Sequence, residues 1–90
     1  PDAFVIAVTD RGAQTLFPTV AELRRAALHT RFSYKATRNM GKLLKEASQS
    51  RARFAVILDD KVTEGRCAVK NLITSEQVEV SLKELVKHLK

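Results

Sequence analysis

The 90-residue sequence is poor in several features that define other classes of protein. It has one cysteine, Cys67, so neither an intrachain disulfide nor a cysteine-rich zinc site can form. Its longest apolar run, residues 3–8, is far below the roughly 20 residues of a transmembrane helix, and the N-terminus does not resemble a cleavable leader. We therefore expect a protein of the cytoplasm, although one cysteine also fits many secreted proteins.

Glycines are too few and too scattered for a phosphate-binding loop. The turn after the first predicted strand contains Gly12 alone, where a dinucleotide site needs several glycines. His29 and His88 have no second ligand at metal spacing and no acidic partner in a recognisable motif. The acidic turn at 59–64 fits a solvated loop better than a divalent-cation site. We expect no metal site and no free-standing enzyme.

What the sequence does contain is a concentrated positive charge. The net formal charge is +6, from 16 Lys and Arg against 10 Asp and Glu. Residues 1–30 and 54–90 each sum to zero, so the whole excess lies in residues 31–53. A localised basic excess is typical of chains that bind RNA, DNA or an anionic membrane surface. The sequence leaves a solvated face without a ligand as the alternative.

Hydrophobic periodicity predicts five strands. Apolar, β-favouring runs at 3–9 and 53–58 predict strands buried on both faces, and residues 31–35 alternate as a short strand near an edge. Helical segments separate these three strands, which predicts parallel pairing through right-handed crossovers. The strands at 66–72 and 77–80 follow gaps too short for a helix, so we expect antiparallel pairing there.

Three helices complete the predicted α/β domain. In the first, Pro18 either lies near the start, with Thr15 as the N-cap, or kinks the helix. The second follows Asn39, a favourable N-cap, and has apolar residues at helical spacing from Met40 onward. Ser81 caps a short closing helix. With these elements, 90 residues form one domain and not two.

The start of the second helix suits a phosphate. Its free backbone N–H groups and positive dipole end are flanked by Arg38 and Lys42. Lys42 and Lys45 project away from the apolar stripe of that helix, toward solvent. Tyr34, at the end of the preceding strand, either stacks on an unpaired base or packs in the core.

Four groups of residues carry a resemblance to a known family. They are Ala-Glu-Leu-Arg at 21–24, Tyr34 with Arg38, Asn39 and Lys42, Ala-Arg-Phe-Ala-Val-Ile-Leu at 52–58, and Glu-Gly at 64–65 followed by Val-Lys-Asn-Leu at 69–72. These strings resemble the C-terminal anticodon-binding domain of class II aminoacyl-tRNA synthetases, and are most similar to the histidine–tRNA ligases. The resemblance implies a three-layer α/β/α fold whose mixed five-stranded sheet has an antiparallel fourth strand.

The resemblance also implies a function. Residues 1–90 would form a single anticodon-binding domain that recognises a tRNA anticodon loop, as the C-terminal fragment of a larger synthetase. The absence of an initiator Met before Pro1 agrees with that expectation. The catalytic domain, with its ATP and Mg²⁺, would lie elsewhere in the parent chain, a cytoplasmic homodimer, and this domain would bind tRNA without catalysis or a cofactor of its own.

Site residues follow from the same resemblance. Asn39 falls where threonine-specific relatives have a base-reading polar residue, and Lys70 falls where a basic residue reaches the loop. Lys61 departs from the family, because this place nine positions before Lys70 usually carries an acid that accepts hydrogen bonds from base amino groups. The expected tRNA-binding set, in which Arg38, Lys42 and Lys45 contact phosphates, is Tyr34, Arg38, Asn39, Lys42, Lys45, Lys61 and Lys70.

Two other functions stay open at this point. A non-synthetase paralogue, such as the regulatory paralogue of histidine biosynthesis, would use this domain for protein contact or regulation, and Lys61 is its main support. An unrelated small α/β domain that binds a phosphorylated ligand is disfavoured by the missing glycine-rich loop.

Overall fold

The computed structural model describes residues 2–33 and 40–89, apart from the side chain of Met40. Its strands are β1 (Ala3–Ala7), β2 (Thr30–Ser33), β3 (Phe54–Leu58), β4 (Arg66–Asn71) and β5 (Gln77–Ser81). Its α-helices are α1 (Asp10–Arg25), α2 (Met40–Gln49) and α3 (Leu85–Leu89). Two short 3₁₀ helices cover Asp60–Glu64 and Leu82–Glu84.

The five strands form one mixed sheet in the order β2-β1-β3-β4-β5. β1 pairs in parallel with both β2 and β3, while β4 is antiparallel to β3 and to β5. The predicted topology is therefore confirmed, including the antiparallel fourth strand and the edge position of β2. One local prediction is wrong: the gap after β3, predicted to be a plain turn, holds the 3₁₀ helix Asp60–Glu64.

Helix α1 begins earlier than the position of Pro18 indicates. Thr9 is its N-cap, and the Thr9 hydroxyl accepts a hydrogen bond from the backbone N–H of Gly12 at 3.0 Å. Pro18 lies inside the helix on its exposed side. Thr15 is not the cap, because its hydroxyl donates to the carbonyl oxygen of Arg11 one turn earlier. The extended backbone and the hydroxyl of Thr9 decide the start of this helix.

Gly12 allows α1 to pack closely against β3. A Cβ atom at this position would overlap the carbonyl group of Leu58, the last residue of β3. Any side chain here would push the helix away from the sheet. This glycine is therefore explained by helix–strand packing.

Two hydrophobic clusters lie on opposite faces of the sheet. On one face, α1 and α3 bury side chains that include Leu16, Leu23 and Leu85 against Val5, Val56 and Val69. On the other face, α2 buries Leu43 and Ala47 against Phe4, Ile6 and Ala55. The arrangement confirms the three-layer α/β/α prediction. None of the helices within residues 2–33 and 40–89 combines the length and apolarity needed to cross a membrane.

Candidate nucleic-acid interface

The two faces of the sheet are covered to different extents. Lys70 of β4 pairs with Ala55, which packs against α2, and register partners of an antiparallel pair carry their side chains on the same face. Alternate residues of β4 and their partners on β5 therefore also lie on the α2 side. None of them belongs to a core cluster, and each is exposed or half-buried. We call five of these residues the open strip: Arg66, Ala68, Lys70, Gln77 and Glu79. Ser81, the partner of Arg66, is left out because its hydroxyl accepts a hydrogen bond from the backbone N–H of Lys83.

Lys70 lies near one end of the open strip. Its register partners are Ala55 on β3 and Gln77 on β5, so its backbone is fixed between two strands. Lys70 is half-buried. A lysine in such a position can lay its methylene stem on the sheet and keep its ammonium group in water. The sheet therefore presents Lys70 to a ligand lying on this face.

Lys61 reaches the other end of the strip from the 3₁₀ helix after β3. Asp59 starts that helix, and its carboxylate accepts a hydrogen bond from the backbone N–H of Lys61 at 2.9 Å. Val62 packs against the α1 and α3 cluster. Gly65 ends the helix in the left-handed conformation, at φ 72°, and its carbonyl oxygen accepts from the backbone N–H of Leu82 at 2.7 Å. The backbone that carries Lys61 is thus anchored on both sides.

Glu79 lies between two cations at this end of the strip. Its Oε2 is 3.9 Å from Nζ of Lys61, and its Oε1 is 3.7 Å from Nη1 of Arg66. Both distances exceed the hydrogen-bond range of about 2.7–3.2 Å, so these are ion pairs without hydrogen bonds. Ion pairs this exposed stabilise a fold by about 1 kcal/mol or less. The cluster is therefore not required for folding and lies available on the surface.

Arg66 and Glu79 are missing from the site predicted by sequence. The alternation within β4 places Arg66 on the same face as Lys70, so this residue was within reach of sequence reasoning. Glu79 was not, because its contact with Lys61 depends on the register of β5 against β4, which pairs Glu79 with Ala68.

Lys42 and Lys45 are exposed on α2, as the sequence predicts. The hydroxyl of Ser33 on β2 donates to a carboxylate oxygen of Glu46 at 3.5 Å, which turns the Glu46 side of the helix toward β2. Lys42 lies four residues before Glu46, on the same side, and Lys45 lies opposite the buried Leu43 and Ala47. The structure therefore brings Lys61 and Lys70 to one strip and places Lys42 and Lys45 on other sides of α2.

Comparison with known proteins identifies the family. A family model described as anticodon binding domain matches residues 2–90, nearly the whole chain. The chain belongs to the anticodon-binding domain family. Among curated relatives, the histidine–tRNA ligase of Geobacillus thermodenitrificans is 37% identical over 89 residues, covering 98% of this chain and 21% of that protein. The histidine–tRNA ligase of Halalkalibacterium halodurans is 33% identical over 90 residues, with 99% and 21% covered.

Solved structures show the same relationship. The domain superposes on histidyl-tRNA synthetase from Nostoc sp. PCC 7120 with a TM-score of 0.89 and 28% identity, covering 98% of this chain and 21% of that one. The RNA binding domain of threonyl-tRNA synthetase from Cryptosporidium parvum matches with a TM-score of 0.87 at 14% identity, which shows a shared fold. This anticodon-binding domain spans about a fifth of the length of the curated relatives that it matches.

The described basic residues of the segment 31–53 lie on both sides of the sheet. Lys42 and Lys45 are carried by α2, whereas Arg53 lies over the ring of Phe54, which packs against the α1 and α3 cluster. Arg31 is exposed on β2, and its register partner Phe4 packs against α2. Three predicted site residues, Tyr34, Arg38 and Asn39, lie outside the described residues. The phosphate site predicted at the start of α2 therefore stays a prediction from sequence.

Cys67 and His88 of the anticodon-binding domain make packing contacts. Cys67 is buried beneath α1 and α3, and this burial, with smaller contributions from Asp59 and Glu79, raises the pKa of its thiol to about 11. A thiol with that pKa is protonated and unreactive at neutral pH. The exposed His88 stacks edge-on against Phe54, with ring centroids 6.3 Å apart. Among the described residues, no three His, Cys, Asp or Glu side chains gather as a metal site requires.

Proposed function

We propose that this domain binds the anticodon loop of a tRNA as part of a histidine–tRNA ligase. Membership of the anticodon-binding family supports the binding role, and the names of the similar curated proteins support the parent enzyme. Those relatives are about five times longer than this chain, which leaves room for a catalytic domain elsewhere in the parent.

The observation that carries the proposal is the open strip. It is a sheet surface beside α2 that no described helix covers, and it presents the cations Arg66 and Lys70, with Lys61 adjoining. Proteins recognise RNA loops by splaying unpaired bases over such a surface and hydrogen-bonding their edges. Cations beside the bases then bind the intervening phosphates.

The proposal assigns the other predicted residues either to bases or to phosphates of the RNA loop. Lys61 follows β3 and the amino end of α2 follows β2, so both lie at the edge where the parallel strands end. In this proposal Asn39 and Lys70 address bases, and Tyr34 is a stacking residue. Because Lys70 pairs with Ala55 near the opposite end of β3, the RNA loop runs from this edge along the open strip to reach it. The phosphates of the loop then lie near Arg38, Lys42 and Lys45, around the solvent side of α2. Charge attraction from that side is independent of base sequence.

The proposal extends to the whole parent protein. We propose that the parent is a cytoplasmic homodimer whose catalytic domain uses ATP and Mg²⁺, while this domain positions the tRNA and holds no cofactor. The curated relatives compared above are named as ligases, which does not favour the regulatory paralogue.

The test is fluorescence anisotropy of a labelled histidine-tRNA anticodon stem-loop titrated with the chain at several salt concentrations, beside a stem-loop with a permuted anticodon. We expect steep salt dependence and tighter binding of the native loop. Equal affinity for both loops would contradict anticodon reading, and no binding even at low salt would contradict RNA binding by the chain.

Two substitutions separate phosphate contacts from base contacts. Lys42→Ala is expected to weaken binding of both loops equally and to lower the salt slope by about one. Asn39→Ala is expected to reduce mainly the preference for the native loop. Lys83→Ala, which removes an exposed lysine from the 3₁₀ helix before α3, is the matched control and should leave both quantities nearly unchanged.

A further inference from the structure

We propose that Glu79 is a specificity-determining residue that selects a guanine in the bound RNA loop. The inference rests on the proposed function and deepens it, because it names a base-reading group that neither the family match nor the predicted site includes. It is argued from the arrangement of Lys61, Arg66 and Glu79 at one end of the open strip.

Glu79 supplies the one charged acceptor of the open strip. Lysine and arginine side chains only donate hydrogen bonds, so Lys61, Arg66 and Lys70 cannot accept from the amino or imino groups of a base. Of the five residues of the open strip, Glu79 carries the one carboxylate, and Gln77 adds a single amide oxygen. Reading base donors on this surface therefore depends chiefly on Glu79.

The carboxylate lies between two cations and can still accept hydrogen bonds. Each of its oxygens has its own cation, Oε1 with Arg66 at 3.7 Å and Oε2 with Lys61 at 3.9 Å. These separations leave its lone pairs free of the short contacts that would occupy them. The side chain is 39% exposed, so a planar base can reach it from solvent.

The resulting pattern complements one base edge. Either of the two cations, taken with the two carboxylate oxygens, presents one donor followed by two acceptors. The Watson–Crick edge of guanine presents the matching order, with the acceptor O6 followed by the donors N1–H and N2–H. Adenine and cytosine have one donor group on this edge beside a ring-nitrogen acceptor, so they engage the cation and one carboxylate oxygen and leave the other oxygen without a partner. Uracil flanks its N3–H with two carbonyl oxygens, one of which opposes a carboxylate oxygen. Guanine is therefore the base that this cluster accommodates.

The position of the cluster suits an unpaired base. Glu79 projects from β5 beside Ala68, its register partner on β4, whose side chain is too small to cover the sheet. A base can lie on that surface and keep its edge toward the carboxylate. Single-stranded loops offer their base edges in this way, whereas paired RNA does not.

The test compares wild-type chain with Glu79→Gln, which keeps the shape of the side chain and replaces one acceptor oxygen by a donor group. The probes are the histidine-tRNA anticodon stem-loop and variants in which each loop guanine is replaced in turn by inosine. Inosine keeps O6 and N1–H and lacks the 2-amino group. The quantity measured is the ratio of dissociation constants for the inosine and guanine loops, which a uniform change in charge does not alter.

We expect inosine at one loop position to weaken wild-type binding by about tenfold, the discrimination typical of a good bidentate contact. In Glu79→Gln this ratio should fall to near one at that position and stay unchanged at the others. Glu76→Gln is the matched control, since Glu76 borders a groove on the opposite face with Phe54 and Val69, and it should keep the tenfold ratio.

Three results would overturn the inference. If Glu79→Gln binds every loop more tightly and keeps the wild-type ratio, Glu79 only repels phosphates and pairs with its two cations. If wild-type chain prefers the native anticodon but distinguishes no guanine from inosine, base reading occurs elsewhere and the proposed function stands without this residue. If wild-type chain binds no loop at all, the proposed function itself fails and the inference fails with it.

Discussion

Alternate side chains of β4 lie on opposite faces of the sheet, and one set is buried while the other has access to solvent. On the side covered by α1 and α3, Cys67 and Val69 are buried completely or nearly so. On the α2 side, Arg66 and Lys70 belong to the open strip. Because side chains alternate along a strand, one six-residue segment contributes to the core with every second residue and to the surface with the others. The comparison predicts that substitutions one residue apart alter stability and the proposed RNA binding separately.

The largest expected effect concerns the covered face. Gly12→Ala should destabilise the chain by about 3 kcal/mol, because the added methyl group overlaps the Leu58 carbonyl and forces α1 off β3. Urea unfolding followed by circular dichroism measures the change. Gly65→Ala is the control: its Cβ meets nothing within 4 Å, but its φ of 72° disfavours a side chain, and we expect a loss of about 1 kcal/mol. A Gly12→Ala loss no larger than the Gly65→Ala loss would contradict close helix–strand packing.

Neighbouring residues on β4 provide the most direct comparison of the two sides. Val69→Ala should cost about 2 kcal/mol of stability, because it leaves a cavity under α1 and α3. Lys70→Ala should change stability by no more than about 0.5 kcal/mol. The RNA affinities should show the reverse order. Lys70→Ala should bind the RNA about tenfold more weakly than wild type, whereas Val69→Ala, measured where it is folded, should bind it as tightly as wild type. Similar changes in both variants would mean that the two sides are not functionally distinct.

A smaller effect should appear only at alkaline pH. Burial raises the pKa of Cys67 from 9.0 to about 11. Below pH 9 the thiol is protonated in both folded and unfolded chains, and its contribution to stability is complete. As the pH rises from 9 to about 11, the thiol ionises in the unfolded chain first, so the folded state loses stability.

The measurement is the free energy of unfolding of wild-type chain and Cys67→Ala between pH 7 and pH 11. We expect wild type to lose about 1–2 kcal/mol more than the variant over the alkaline part of this range. The two proteins differ only at position 67, so the difference between the two curves isolates the thiol. Parallel curves would contradict the buried, protonated state of Cys67.

The sequence predicted most of the fold because its patterns are local. The continuous apolar runs of β1 and β3 can lie only in the middle of a sheet covered on both faces, and that is their position. The short gap between β4 and β5 required antiparallel pairing. Of the two alternatives for α1, a start near Pro18 with Thr15 as the cap is wrong, because Thr9 caps the helix and Pro18 lies inside it. Pro18 is a local signal, whereas the cap depends on the extended backbone of Thr9 and its hydrogen bond from Gly12.

The candidate site was predicted less completely, for a physical reason. Lysines and arginines can be counted in a sequence, so Lys42, Lys45, Lys61 and Lys70 were named, and all four have solvent access. Their grouping depends on strand register and on which part of the sheet α2 covers. Those long-range features place Glu79 beside Lys61 and set Lys42 apart from both, and periodicity within one segment carries no information about them.

The most direct test of the central claim is a titration of ¹⁵N-labelled chain with the histidine-tRNA anticodon stem-loop, followed by amide chemical shifts. We predict that the largest shifts occur in the open strip and around Lys61, with small shifts in α3 and in the buried half of α1. Shifts concentrated on α1 and α3, with the strip unaffected, would contradict the assignment of binding to the α2 side of the sheet.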